Sequence, residues 1–174
     1  MFQPNVVVDH IASFTAQRDQ ELLAFSLLKS VNSMMSSVST RILTMDKRSN
    51  IISNMLFEGG NCDIAHHEND IEKSIMEACE RISDSDIDAC NLEVGNKVFL
   101  IRLVYHNRKV EQFLLVELDA QVTKAQSYIL SGILNIYNNF LVLLNDSQTD
   151  ELTGLANRKT FDSAISTVFD TSKI

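Results

Sequence analysis

Within seven residues of one segment lie Cys62, Asp63, His66, His67 and Glu68. Thiolate, imidazole and carboxylate bind zinc or iron when they converge on one point. The spacing follows no standard zinc pattern, so residues 61–70 are expected to be a polar, irregular loop, with Cys62, His66 and His67 as its metal-ligand candidates. A haem-type site needs one well-placed histidine, for which His66, His67 and His106 are the candidates. The run Asp84-Ser85-Asp86-Ile87-Asp88 has the alternating carboxylates of a calcium loop but lacks the glycine and the distal glutamate; it is expected to be a helix-end turn. Cys79 and Cys90 fall on apolar faces, where a thiol behaves as a small hydrophobe. There is no phosphate-cradling glycine loop and no Ser/His/Asp spacing, so no catalytic residue is assigned.

The elements that must hold these groups are bounded by composition. At 174 residues the chain is one ordinary domain, or one domain and a fragment. Fifteen basic residues against 23 acidic ones leave a net charge of −8, which argues against a nucleic-acid partner, since such a partner calls for a basic patch. Three cysteines are an odd number without framework spacing, which reads as reduced thiols in a cytoplasmic protein. Residues 125–145 carry no charge over about the length of a bilayer span. That stretch contains Gln126, Asn135, Asn138 and Asn139, which are costly in lipid, and its flanks have no basic cluster, so no membrane span is expected.

Periodicity supplies the order of elements. Leu22, Phe25, Leu28, Val31, Met35 and Val38 recur at helical spacing within a helix expected over 11–38. Residues 39–46 and 51–57 read as two strands of a hairpin. Asp70 is placed to cap a helix whose stripe is Ile71, Ile75, Ala78 or Cys79, and Ile82. Strands are expected over 88–94, 97–105 and 110–118. In the middle one Val98, Leu100 and Val104 face one way and Phe99, Ile101, Leu103 and Tyr105 the other, so it is covered on both sides. A long helix over 120–147 carries two adjacent heptad stripes. One is Ile129, Ile133, Ile136, Phe140 and Leu143; the other is Leu130, Leu134, Tyr137, Leu141 and Leu144. One stripe can pack on the sheet while the other meets a second helix. The fold class is α+β, an antiparallel sheet with long N- and C-terminal helices on one face.

After that helix the chain reads Asp150-Glu-Leu152-Thr153-Gly154-Leu155-Ala-Asn157-Arg158-Lys-Thr-Phe161. Physically this is a turn at Gly154, anchored by Leu152 and Leu155, followed by a helix start. The same residues resemble the D-x-L-T-G-L-x-N-R-x-x-F opening of the GGDEF domain of diguanylate cyclases. The resemblance covers 150–174 only. It implies an output domain cut short before its metal-binding aspartates, signature loop and product-inhibition site, so GTP and magnesium belong to a missing part and this chain is not expected to turn over GTP.

The element order upstream resembles a GAF domain, a cytosolic sensor placed before GGDEF domains; a PAS domain is the competitor. The resemblance implies a GAF-like domain over 1–119, a signalling helix over 120–149 and a GGDEF fragment over 150–174. It implies a regulator of cyclic di-GMP synthesis that works as a homodimer through its terminal helices, with an unidentified small molecule as its possible ligand. Phe57, Cys79, Cys90, Phe99 and Phe113 are the expected pocket residues. Some GAF domains carry an N-K…F-x-x-x-D-E motif for cyclic nucleotides. Asn96-Lys97 and Phe113 match it, but Glu117-Leu118 stands where Asp-Glu is required, so the match is read as a strand start and a core phenylalanine.

Overall fold

The computed structural model describes Asp9, Ala12 and residues 19–66 and 71–148. The GGDEF-like positions Asp150, Leu152, Thr153, Gly154, Leu155, Asn157, Arg158 and Phe161 lie outside the described residues, as do His67 and the expected cap Asp70.

Helix α1, Gln20–Met35, starts on Asp19, whose carboxylate accepts the Glu21 and Leu22 amides. That satisfies two of the donors a helix start leaves free. It stops at Ser36, left-handed at φ 50°, while the Asn32 side chain donates to the Ser37 carbonyl and hydroxyl. Val38 therefore lies beyond the helix. The buried stripe is Leu23, Leu27, Leu28, Val31 and Met35, which turns Leu22 outward at 54% exposed. The expectation that Leu22 and Val38 belong to the core stripe is corrected on both counts.

Three strands follow: β1 Ser39–Asp46, β2 Ile51–Glu58 and β3 Asn61–His66. The expected loop over 61–70 is thus a strand through His66. Gly59 and Gly60, both at positive φ, make the two-residue hairpin turn that folds β3 onto β2, a backbone that glycine adopts at no steric cost. Next come α2 Lys73–Ser83, β4 Ala89–Val94, β5 Lys97–His106 and β6 Val110–Leu118, then α3 Lys124–Gln148. The residues 84–88 form the turn leaving α2, where the Ser85 hydroxyl donates to the Arg81 carbonyl at 2.6 Å. All six strands form one sheet in the order β3-β2-β1-β6-β5-β4, every neighbouring pair antiparallel.

Both faces of the sheet are covered. On one, α1 and α3 bury Leu27, Leu28 and Tyr137 against Ile42, Leu114 and Val116. The Thr40 hydroxyl donates to the Leu28 carbonyl at 3.0 Å, tying α1 to the central strand. On the other, α2 seats Ile75, Ala78, Cys79 and Ile82 over Leu43, Ile101, Phe113 and Leu115. β5 alternates as expected up to Leu103. There a bulge leaves Val104 unpaired and carries Tyr105 over to the α1/α3 face, not to the face of Phe99. An extra residue in a strand shifts every later side chain by one step of the pleat.

The stretch Lys124–Leu144 is long and apolar enough to cross a membrane. In this structure Leu130, Ile133, Leu134, Tyr137 and Leu141 of that helix are buried on the α1/α3 side of the sheet. Ile133, from the stripe of Ile129, Ile136, Phe140 and Leu143, falls within this arc together with the other stripe. Ile129, Ile136 and Phe140 are half-buried and Leu143 is 61% exposed. Gly132 in this helix has open space where a Cβ would stand. Gly132→Ala is expected to stabilise the fold by about 1 kcal/mol, the helix-propensity difference, read as a raised denaturation midpoint.

Candidate ligand-binding cleft

Among the described residues, two hollows with different chemistry open on the α2 face. The first lies where β1, β6 and β5 run under the start of α2. Strand alternation points Ser39 and Arg41 of β1, Glu117 of β6 and Lys97 of β5 to this face, over an apolar floor of Phe99 and Leu115. α2 contributes Glu72 and Ile75. Glu72 is the N-cap of α2 and makes no side-chain cap hydrogen bond. The hollow is about 120 Å³. Lys97 Nζ donates to Glu117 Oε1 at 3.0 Å, and Ser39 Oγ donates to Oε2 at 2.9 Å. The hydrogen bond and charge of Glu117 push the Lys97 amine above its ordinary value.

The second hollow, about 250 Å³, lies at the other end of α2. Its hub is Glu111, 8% exposed. Lys47 Nζ donates to one carboxylate oxygen, and Ser83 Oγ donates to the other at 2.7 Å. Burial alone would raise the Glu111 carboxyl. Hydrogen bonds from Lys47 and Ser83, with the charges of Lys47 and His106, hold it below its ordinary value instead. A carboxyl that binds its proton more weakly when folded stabilises the fold above its unfolded pKa of 4.5. That contribution fades as pH falls through the lower folded value. Glu111→Gln is therefore expected to flatten the acid limb of the stability profile below about pH 4.5 and to leave its slope near neutrality unchanged, as measured by urea titration at several pH values.

The five expected pocket residues do not come together. Phe57 packs on the α1/α3 face, edge-on to Phe25 with centroids 6.0 Å apart, because Met55 and Phe57 share the opposite side of β2 from Asn54 and Leu56. Cys79, Cys90, Phe99 and Phe113 are on the α2 face, but Cys79 and Phe113 are at 0% exposure inside the core. Only Phe99 reaches the cleft. Burial pushes the Cys79 thiol up to about 12 and raises Cys62 and Cys90 as well, which holds all three in the protonated thiol form at neutral pH. Cys62 and His66 stand four residues apart on one extended strand, about 13 Å of backbone at 3.3 Å per residue. Among the described residues no group of three or more His, Cys, Asp or Glu is placed to hold a metal.

Sequence reasoning missed Arg41 and Asn54. Each is a polar residue at an inward position of a strand otherwise lined with apolar side chains, and that was the available signal. The Asn96-Lys97 and Glu117 pieces of the nucleotide motif do meet, as the Lys97–Glu117 ion pair. The hollow beside them is far smaller than the 300 Å³ or more typical of ligand pockets, which fits a structural ion pair better than a nucleotide seat.

No protein-family model and no curated protein matches the sequence. Solved structures do match its shape. The GAF domain of an Acinetobacter phosphoenolpyruvate-protein phosphotransferase is similar at TM-score 0.55 and 14% identity, over 80% of this chain and 92% of that one. Residues 122 to 287 of a methyl-accepting chemotaxis protein align at TM-score 0.55 and 9% identity, over 81% and 98%. A phycoerythrobilin-bound GAF domain from a cyanobacterial phytochrome aligns at TM-score 0.53 and 7% identity, over 83% and 96%. The fold is GAF-like, an α+β sandwich of one antiparallel sheet between helices. The likeness favours GAF over the PAS alternative.

Proposed function

We propose that this chain is a cytoplasmic regulatory sensory domain whose α3 helix pairs with that of a second copy and passes a ligand-dependent change to a GGDEF-type output domain. The observation that carries the reading is the division of α3. One side is sealed on the sheet, while Ile129, Ile136 and Phe140 are half-covered and Tyr128, Val142 and Leu143 are exposed. Leu22 of α1 is an exposed apolar residue on the same layer. A helix with a second apolar side requires a second surface. α3 runs toward the segment that resembles a GGDEF start, and two facing output domains are what that resemblance requires for cyclic di-GMP synthesis. A ligand that binds one sheet–helix arrangement better would shift the population of α3 pairings. The pigment-bound GAF neighbour supports a small-molecule role for this fold. Size-exclusion chromatography with light scattering should give a dimer; a strict monomer at high concentration would sink the proposal.

A ligand-free dimerisation scaffold is the second reading, favoured by the small size of the cleft. Thermal-shift screening with nucleotides, haem and metals, followed by native mass spectrometry, separates the two. Only the sensor gains a raised midpoint and an added mass.

A further inference from the structure

We infer that Asn139 fixes the direction and register of the α3 pair, by bonding to its own copy across the two-fold axis of a parallel dimer. The inference rests on the homodimer reading above. It goes beyond that reading in naming the seam, the orientation of the two chains and the residue that selects it.

The seam is the first argument. Along α3 the residues Ala125, Ile129, Gly132, Ile136, Asn139 and Leu143 recur in steps of four and three. That spacing keeps one line of a helix against a partner, with 129, 136 and 143 as a positions and 125, 132 and 139 as d positions. Ala125, Gly132, Asn139 and Leu143 are exposed in the protomer, and Ile129 and Ile136 are half-buried.

The occupant is the second. Residues 125–145 contain no charged side chain. Two chains of net charge −8 can therefore meet along this line without bringing like charges together. A carboxamide is both donor and acceptor, so Asn139 is complementary to another Asn139. The two-fold axis of a parallel pair places each seam residue opposite itself.

The choice of direction is the third. In coiled coils, charges at the flanking e and g positions set partner and orientation. Here those positions are Ile133 and Phe140 on one flank and Tyr128, Asn135 and Val142 on the other, which offer no ion pair. The choice falls to the seam, where Asn139 is the one polar side chain. In a parallel, in-register pair each Asn139 amide can donate to the other's side-chain oxygen. Slid by one heptad, Asn139 of one copy faces Gly132 of the other. In an antiparallel pair, where a faces d, it meets an isoleucine or leucine. Both arrangements bury the amide without a partner, which is costly. A single polar seam residue of this kind gives up some affinity and selects one geometry.

The test is oxidative cross-linking of the 174-residue chain carrying Leu143→Cys, with sedimentation equilibrium of the parent and Asn139→Leu chains alongside. Oxidised glutathione is the oxidant: two protein thiols lose two electrons and two protons to form one S–S bond, and the reagent leaves as two reduced glutathiones. In a parallel, in-register pair the two 143 positions face each other within the span of about 4.4–6.8 Å between Cα atoms that a disulfide needs. The parent chain, with Cys62, Cys79 and Cys90, is the background control. Positions 139 and 143 are exposed in the protomer, so neither substitution touches its core. Expected is a covalent dimer from the variant and none from the parent. Asn139→Leu should lower the dimer dissociation constant about tenfold, the scale of one polar pair exchanged for apolar packing. Added to Leu143→Cys, it should cut the cross-linked fraction at least about twofold as other registers fill. A dimer that does not cross-link at 143 overturns the inference. So does an Asn139→Leu dimer no tighter than the parent's, or one whose cross-linked fraction is unchanged. These outcomes leave the homodimer reading standing. A monomer by light scattering overturns both, including one that cosediments with phosphatidylcholine vesicles instead of dimerising.

Discussion

Tyr137→Ala is expected to remove about 3–5 kcal/mol from the unfolding free energy, the cost of emptying a large aromatic site. Tyr137 is at 0% exposure between α3 and the sheet. Its hydroxyl donates to Gln112 Oε1 at 3.3 Å, and Gln112 Nε2 donates to Thr44 Oγ1 at 3.4 Å. Burial pushes that hydroxyl above its ordinary value, so it stays neutral and keeps its proton to donate. Tyr137→Phe keeps the packing and loses one long hydrogen bond, about 1 kcal/mol or less. Urea denaturation gives the two values. Hydrogen exchange should show the alanine variant losing protection along α3 before the β-sheet loses any. Equal costs for alanine and phenylalanine would mean that the ring does not anchor the helix.

Leu143→Asp is expected to raise the dimer dissociation constant by more than about a hundredfold while leaving the fold intact. At 61% exposure the leucine contributes little to the isolated domain, so the stability change should stay within about 0.5 kcal/mol. Burying a carboxylate between two apolar helices costs several kcal/mol, and each 1.4 kcal/mol is tenfold in affinity. Ile136→Asp, the choice that the heptad pattern suggests, is a poorer probe. Ile136 packs on the α1/α3 core, so that variant would weaken fold and dimer together. Sedimentation equilibrium of the Leu143 variant decides the matter, and an unchanged dimer would move the interface off α3.

The architecture was legible wherever local and tertiary demands agreed. The limits expected for β1 and β6 coincide with those observed, because both strands end in polar turns and are buried on both faces. β3 was lost because its polar residues disguised an edge strand, where one side of each residue meets water. The Gly59-Gly60 pair is the hairpin signal that reveals it. Tyr105 went to the wrong face because a bulge leaves no mark in an alternating pattern. The cleft was less legible than the fold. Periodicity reports which residues are buried, and it therefore nominated Phe57, Cys79 and Phe113, which are buried by packing on one another and on the helices. A cleft is made by residues that interrupt the pattern, as Arg41 does.

The two sides of β6 are joined at one peptide unit. Glu111 reaches down to Ser83 on α2 and to Lys47 on the β1–β2 turn, and Gln112 reaches up to Tyr137 on α3. Successive side chains of a strand point to opposite faces. A roll of β6 about its own axis therefore swings these two arms in opposite directions, like a rocker.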